Sequence, residues 1–199
     1  MMLAVILGYL AGSVPFAFLL ARRAGIDVRR VGSRNVGAAN VMRSTGPGRA
    51  IAVMALDVAK GAAAVALANI TTGGAALAAA TGAAAVVGHI YPVWLRFHGG
   101  KGVAVAAGAF AVLTPLATGL AAVLFLLTVW TTRYVSLGSI AATVALPPVA
   151  WLVGAPVAVV GAAAGTAALI LFRHRANLRR LRAGTERRLG RDGSGRAPA

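Results

Sequence analysis

Cysteine is absent from this 199-residue chain, which excludes disulfides and thiolate chemistry. Acids are nearly absent as well. Asp and Glu together number four, too few to build a carboxylate cluster around a hard metal ion. The three histidines, His89, His98 and His174, have no metal-ligand spacing, so no metal is expected. None of them is followed five residues on by Asp, and no G-x-S-x-G elbow is present, so a common His–Asp dyad and a serine nucleophile elbow are both missing. Aromatics make up only 6% of the residues. Lysine occurs twice, as Lys60 and Lys101, although Lys and Arg together number 20.

Apolar residues are abundant. They form 59% of the chain, and the mean hydropathy is +0.80, which reads as a polytopic membrane protein. Richness in Ala and Gly suits helices packed closely through small residues. The opening MMLAVILGYLAGS has no basic n-region and reads as a first span rather than a cleavable signal. A net charge of +16 would suggest nucleic acid in a soluble protein, but its distribution says otherwise. Seven basic residues lie in 21–49, two in 96–101, one at Arg133 and nine from Arg173 onward; only Lys60 falls within an apolar segment. Basic residues confined to alternate loops follow the positive-inside rule. A basic tail is also drawn to the anionic lipid of the inner leaflet. Membrane lipid is therefore the expected contact, and nucleic acid is not.

The spans follow in order. Residues 2–20 form the first, with Pro15 as a kink and Gly8 and Gly12 as a packing face. The basic loop 21–49 comes next, then a span over 50–70 ending at an uncharged TTGG turn. Residues 75–95 form the third. Its end, GHIYPVWL, puts Tyr91 and Trp94 where interfacial aromatics sit. As one helix, residues 102–132 would run roughly 46 Å, against a hydrocarbon core of roughly 30 Å. Charge parity requires two short helices instead, broken near Thr114-Pro115, because one would export the arginine-rich tail. Residues 136–152 form the sixth span, interrupted at Pro147-Pro148. Residues 155–172 form the seventh, with Gly161 and Gly165 as a packing face. The tail 173–189 reads as an interfacial amphipathic helix, its Leu178, Leu181 and Leu189 set against arginines. The expectation is an all-α membrane protein of seven transmembrane helices, some short, amino terminus outside and carboxyl terminus cytoplasmic. Residues 1–189 form a single integral-membrane domain and 190–199 a disordered tail.

Polar clusters gather at one face. GSRNVGAANVMRSTG (32–46) carries Gly32, Gly37 and Gly46, short polar side chains in Ser33, Asn35 and Asn40, and fixed charge in Arg34 and Arg43. Its composition fits either an anion site made from backbone N–H groups or an ordinary basic loop. HGGKG (98–102) sets a rare lysine, Lys101, among Gly99, Gly100 and Gly102. Glycine followed by lysine is a common way of holding phosphate. It is not a P-loop, which would need glycine at Leu95 and Ser or Thr after the lysine. Asp57 and Lys60, three residues apart on one helical face, form an intramembrane charged pair with either a functional or a structural role. His89 lies close to the glycine-lysine loop. His174, Arg175 and Asn177 begin the tail on the same side.

Together these motifs resemble the bacterial membrane-embedded glycerol-3-phosphate acyltransferases that use acyl phosphate as donor. The resemblance runs through GSRNVGAANVMRSTG (32–46), LDVAKG (56–61), GHIYPVWLRFHGGKGVA (88–104) and RHRANLRRLRAGTE (173–186). It implies acyl transfer to the 1-hydroxyl of glycerol 3-phosphate in the bacterial cytoplasmic membrane, giving lysophosphatidic acid and phosphate, the first step of phospholipid synthesis. The resemblance also implies that no cofactor is needed and that neither coenzyme A nor a carrier protein is used directly. A functional link to the enzyme that makes acyl phosphate follows. Arg34, Ala39 and Ala176 depart from the family pattern. Ser33, the loop glycines Gly32, Gly37, Gly99, Gly100 and Gly102, and Lys101 are expected to hold acyl phosphate. Asn35, Asn40, Arg43, Lys60, His174 and Asn177 are expected to bind substrate, chiefly glycerol 3-phosphate, with Asp57 and Glu186 in support. The proton passes either to His89 or to a substrate phosphate.

Overall fold

A computed structural model of the protein describes residues 2–72 and 74–190, and the regular elements among them are all helices. Helix α1 (Met2–Ser13) gives way to α2 (Phe16–Arg22) at Val14-Pro15, where the proline lacks the N–H that would continue the ladder. The basic loop is partly helical: it contains α3 (Ala38–Thr45) and ends at Gly46, whose φ of +94° turns the chain into α4 (Pro47–Thr72). Proline at the first position of α4 forfeits only an N–H that has no partner there. Helix α5 (Ala75–Ile90) stops before Pro92 and is followed by a 3₁₀ turn, Val93–Leu95. The expected split of 102–132 is present as α6 (Val103–Leu113) and α7 (Pro115–Thr132). Then come α8 (Val135–Leu152), α9 (Val157–Arg173) and α10 (Arg175–Arg182), the last bent 58° from α9.

Five of these stretches are long and apolar enough to cross a membrane: Met2–Arg22, Pro47–Ile70, Ala75–Leu95, Pro115–Thr132 and Val135–Leu152. Helices α9 and α10 taken together make a sixth. Helix α6 has 11 residues, roughly 16 Å of rise and so about half the hydrocarbon thickness.

Small residues bring the helices together in two places, of which the first was expected. A Cβ on Gly8 or Gly12 would collide with Thr81 or Ala85 of α5, and one on Gly88 would collide with the Tyr9 carbonyl of α1. Between α4 and α6, Gly61 meets Val105 and Gly108 meets Val58 in the same way. Close backbone approach is what small residues at a membrane interface permit.

Two expectations are corrected. Gly161 and Gly165 face open space rather than a neighbour. Helix α9 packs instead through Ala163, Thr166, Ala167 and Ile170, a second small face at the same helical spacing. Helix α8 also runs unbroken through Pro147 and Pro148. Those prolines remove the bonds that nitrogens 147 and 148 would make to the carbonyls of Thr143 and Val144. Buried Leu146 and Ala150 hold this last third of the helix in the core, so tertiary packing overrides the local break. The TTGG turn is reached by α4 at Thr72, and Gly73 lies outside the described residues. The tail expected to be disordered also lies outside them from residue 191 onward.

Candidate functional site

The loop before α3 is folded around Asn40. This side chain is fully buried. Its Oδ1 accepts from the Ser33 N–H at 2.9 Å, and its Nδ2 donates to the carbonyls of Val28 at 2.9 Å and Val31 at 3.2 Å. Gly32 adopts φ +58° with its α-carbon against that amide, where a Cβ would collide with Oδ1. Asn40 therefore shapes the loop and offers no free group to a ligand, which corrects its expected role as a binding residue, and Gly32 is required for the close approach to its amide. Ser33 is exposed on the same loop, while Asn35 and Gly37, further along, enter the cavity described below.

The HGGKG segment packs back on the end of α5. The N–H groups of Gly99 and Gly100 donate to the carbonyls of Ile90 and His89, both at 3.1 Å. A Cβ on Gly99 would collide with the His89 carbonyl, and one on Gly100 with the His89 ring. These two glycines are thus required for close approach, and their donors are already used. That is a second correction, since both were expected to hold phosphate. Gly102, at φ +89°, caps α6 and does line the cavity.

Lys101 projects from this turn and donates to the side-chain carbonyl of Asn177 on α10. Burial pulls its pKa down to about 8, with Glu186 opposing that shift and Arg180, Arg43 and Arg173 adding to it. His174 is buried where α9 ends, and its Nδ1–H donates to the Ile170 carbonyl at 2.8 Å. Burial, reinforced by the Lys101 charge, pushes its pKa down to about 4, so it is neutral at pH 7 with Nε2 as its acceptor. Asn177 donates to Glu186 Oε1 at 2.7 Å; Ser136 reaches the same oxygen at 3.0 Å, and Arg180 holds Oε2 at 2.7 Å. Burial raises the Glu186 pKa, but these bonds outweigh it and hold the group below its ordinary value.

Those bonds redirect the tail. The amphipathic helix expected over 173–189 is only α10, after which Gly184 (φ +69°) turns the chain back. Leu189 N–H donates to the Arg133 carbonyl at 2.7 Å and Arg188 Nε to the Tyr134 hydroxyl at 2.9 Å. Residues 184–189 therefore cross to the α7–α8 turn instead of continuing the helix.

Between these parts lies a cavity of about 380 Å³. One end is lined by Asn35, Gly37, Arg43, Lys101, Gly102, His174, Asn177 and Glu186. Its other end runs between α6, α7, α8 and α9 and is lined by Ala106, Ala121, Ala122, Leu146, Ala163 and Ala167, among others. A cationic head and an apolar tail in one cavity suit an amphiphile with an anionic group. Asp57 and His89 also reach the lining, but Lys60 does not. Its ammonium is used by Asp57, Val14 and His89. Lys60 is accordingly corrected from a ligand-binding residue to one buried behind the site.

Sequence reasoning missed the hydroxyls of α8. Ser136, Ser139 and Thr143 all line the cavity. Their spacing of three and then four residues puts them on one face of an otherwise apolar helix, which was the available signal. Thr166 of α9 joins them. Arg173 was also missed: its Nη2 donates to the Gly99 carbonyl at 3.3 Å, tying α9 to the HGGKG turn.

The chain matches the family model for glycerol-3-phosphate acyltransferase over residues 2–184. It is 46% identical over 195 residues to the glycerol-3-phosphate acyltransferase of Rubrobacter xylanophilus, covering 97% of this chain and 98% of that one. With glycerol-3-phosphate acyltransferase 1 of Deinococcus radiodurans it shares 44% identity over 189 residues, 95% and 96% of the two chains. Among solved structures it is similar to crystal structures of PlsY, an integral membrane glycerol 3-phosphate acyltransferase. The glycerol 3-phosphate form gives a TM-score of 0.92 at 40% identity, covering 95% of each chain. The lysophosphatidic acid form gives 0.89 at 39% identity, again covering 95% of each.

Proposed function

The chain belongs to the glycerol-3-phosphate acyltransferase family and acylates glycerol 3-phosphate to lysophosphatidic acid, and from that premise we propose an acyl phosphate donor bound in the 380 Å³ cavity. The observation that carries this reading is the cavity's division into a cationic end and a small-residue apolar end. An acyl phosphate has a matching division. Its phosphate lies against Lys101 and the first-turn amides of α6, and its chain runs between α6 and α9. Ser33, exposed two residues before Asn35, meets the phosphate at the mouth. Arg43, Asn177 and neutral His174 receive glycerol 3-phosphate, with Asn35 and Gly37 beside them and Asp57 and Glu186 fixing their neighbours.

The 1-hydroxyl oxygen attacks the acyl carbonyl carbon directly, without an acyl-enzyme. The new C–O ester bond forms as the bond from that carbon to the phosphate oxygen breaks, and the electron pair leaves on phosphate. His89 is a poor choice of base, because its Nδ1 faces the Lys60 ammonium at 3.0 Å. The hydroxyl proton therefore passes to the departing phosphate, the remaining nearby acceptor of sufficient basicity. What is left to the protein is positioning and stabilisation of charge on the carbonyl oxygen.

The seven-span reading counts α6 and α9 as short spans, with the amino terminus outside and the site on the cytoplasmic face of the bacterial inner membrane. Support comes from basic residues gathered in alternate loops. A cytoplasmic mouth also places the site where the enzyme that makes acyl phosphate can supply it. The test is direct. Purified protein given glycerol 3-phosphate and palmitoyl phosphate releases lysophosphatidic acid and phosphate, palmitoyl-coenzyme A does not replace the donor, and Lys101→Ala abolishes transfer. Turnover with the thioester but not with the acyl phosphate overturns the donor assignment.

A further inference from the structure

Asp57, Lys60 and His89 form a buried cluster that the transfer chemistry leaves unused. Lys60 Nζ lies 2.9 Å from Asp57 Oδ1, with the two side chains 6% and 3% exposed. Asp57 Oδ1 has no hydrogen-bond partner, so charge rather than a hydrogen bond holds this contact. Lys60 also donates to the Val14 carbonyl at 2.8 Å, in the break between α1 and α2, and stands 3.0 Å from His89 Nδ1. An ammonium has three protons and no lone pair. Two of its protons go to the Val14 carbonyl and His89 Nδ1, and the Asp57 carboxylate holds the charge beside them, so the ammonium is committed behind the cavity rather than to a substrate phosphate.

The same arithmetic fixes the imidazole. Two groups face His89 Nδ1: the Asp57 carboxylate at 3.6 Å, beyond hydrogen-bond reach, and the Lys60 ammonium at 3.0 Å. The nearer ammonium makes Nδ1 the acceptor, so the ring proton resides on Nε2. Nε2 crowds the α-carbon of Gly100 beside the Val36 carbonyl oxygen. Gly100 in turn donates its N–H to the His89 carbonyl at 3.1 Å, and Lys101 is the next residue. A continuous line of contacts therefore runs from α4 through Lys60, His89 and Gly100 to the lysine in the cavity.

We propose that Lys60 is a positioning residue: it fixes His89 as the Nε2–H tautomer and, through His89 and Gly100, sets where Lys101 stands. This inference needs only the acylation of glycerol 3-phosphate, whichever donor the enzyme accepts. A salt bridge that merely stabilises the fold would leave turnover alone, and a phosphate ligand would govern KM.

The experiment uses the full-length protein labelled with ¹⁵N-histidine in detergent. His89 is expected in the Nε2–H form and His174, which donates through Nδ1, in the opposite one; His89→Asn and His174→Asn assign the signals. In Lys60→Met the His89 signals shift away from the pure tautomer. Its kcat falls about 10- to 100-fold, the scale of loss from a misplaced group, while KM for glycerol 3-phosphate changes less than about threefold. Lys60→Arg, which keeps a donor, retains more turnover than Lys60→Met. If Lys60→Met fails to fold, the wild-type spectrum decides, and a proton on His89 Nδ1 overturns the proposal. So does a tenfold rise in KM at constant kcat, or unchanged kinetics with only a lower Tm.

Discussion

Lys101 donates to the side-chain carbonyl of Asn177, joining residues 76 positions apart in the chain. Asn177 passes the connection on to Glu186, which also gathers Ser136 and Arg180. One hydrogen-bonded line thus ties the turn before α6, the helix α10 and the start of α8 around the cavity's cationic end. The lysine at its head is buried, and the carboxylate at its foot is paired.

Burial has a consequence for pH. Lys101 titrates at about 8 in the folded protein, against 10.5 ordinarily. Between those values the unfolded chain binds the extra proton, so this group's contribution to stability rises with pH across that window. Lys101→Met has no such group. The Tm of the wild type relative to Lys101→Met should therefore climb from pH 7.5 to 10. Initial rates at low glycerol 3-phosphate should fall over the same interval, as the ammonium is lost. A rate that holds steady to pH 10 counts against the charge having any role.

Glu186 titrates in the opposite sense. Its folded pKa lies below the ordinary 4.5, so its stabilisation is present above that value and lost as pH falls through the folded one. Glu186→Ala leaves Asn177, Arg180 and Ser136 short of an acceptor. The expected cost is about 1–3 kcal/mol, read as a lower Tm at pH 7 that converges with the wild type at acid pH. Limited proteolysis should then cut within 184–189 in the variant before it does so in the wild type.

How far each feature could be read from sequence depended on whether its cause was local. Thr114-Pro115 was legible because proline and charge parity agreed, and Lys101 because lysine is rare in a chain rich in arginine. Gly8 and Gly12 made the contacts expected of them. Gly161 and Gly165 did not, since Ala163 and Ala167 present an equally small face and only the neighbouring helices choose between them. Asn40 and Asn177 look alike in sequence, each in a basic segment. What separates them is tertiary: Asn40 is used up by Val28, Val31 and Ser33, while Asn177 lies beside Lys101. Pro147-Pro148 misled for a similar reason, because packing around Leu146 and Ala150 holds the helix together.

The glycines supply a matched comparison. Gly100→Ala drives a methyl into the His89 ring and Val36 carbonyl, and Gly12→Ala drives one into the backbone of α5. Each should cost about 1–3 kcal/mol as an overpacked site, and Gly100→Ala should also lose most activity by displacing Lys101. Gly161→Ala and Gly165→Ala meet nothing within 4 Å. These are expected to be neutral or to stabilise by up to about 1 kcal/mol through helix propensity. Thermal melts of the four variants, beside their initial rates, check the contrast. A stable and active Gly100→Ala would remove the argument for a crowded His89–Gly100 contact.

The far end of the cavity should decide which chains are accepted. Ala163 lines it and is fully buried, 11 residues before His174 and so roughly 16 Å along the helical run from the cationic end. Ala121 of α7 and Leu146 of α8 also line that region. A leucine at 163 or 121 fills space that only a long chain occupies. Displacing two methylenes from this apolar environment costs about 1.6 kcal/mol at about 0.8 kcal/mol each, or roughly tenfold in kcat/KM. Ala163→Leu and Ala121→Leu should therefore lose about tenfold with palmitoyl phosphate and little with decanoyl phosphate, while KM for glycerol 3-phosphate stays constant. Rates measured with both donors provide the check, because a substitution that simply loosens the fold lowers both together. Equal losses with the two chains at an unchanged Tm would mean that the acyl group does not run between α6 and α9.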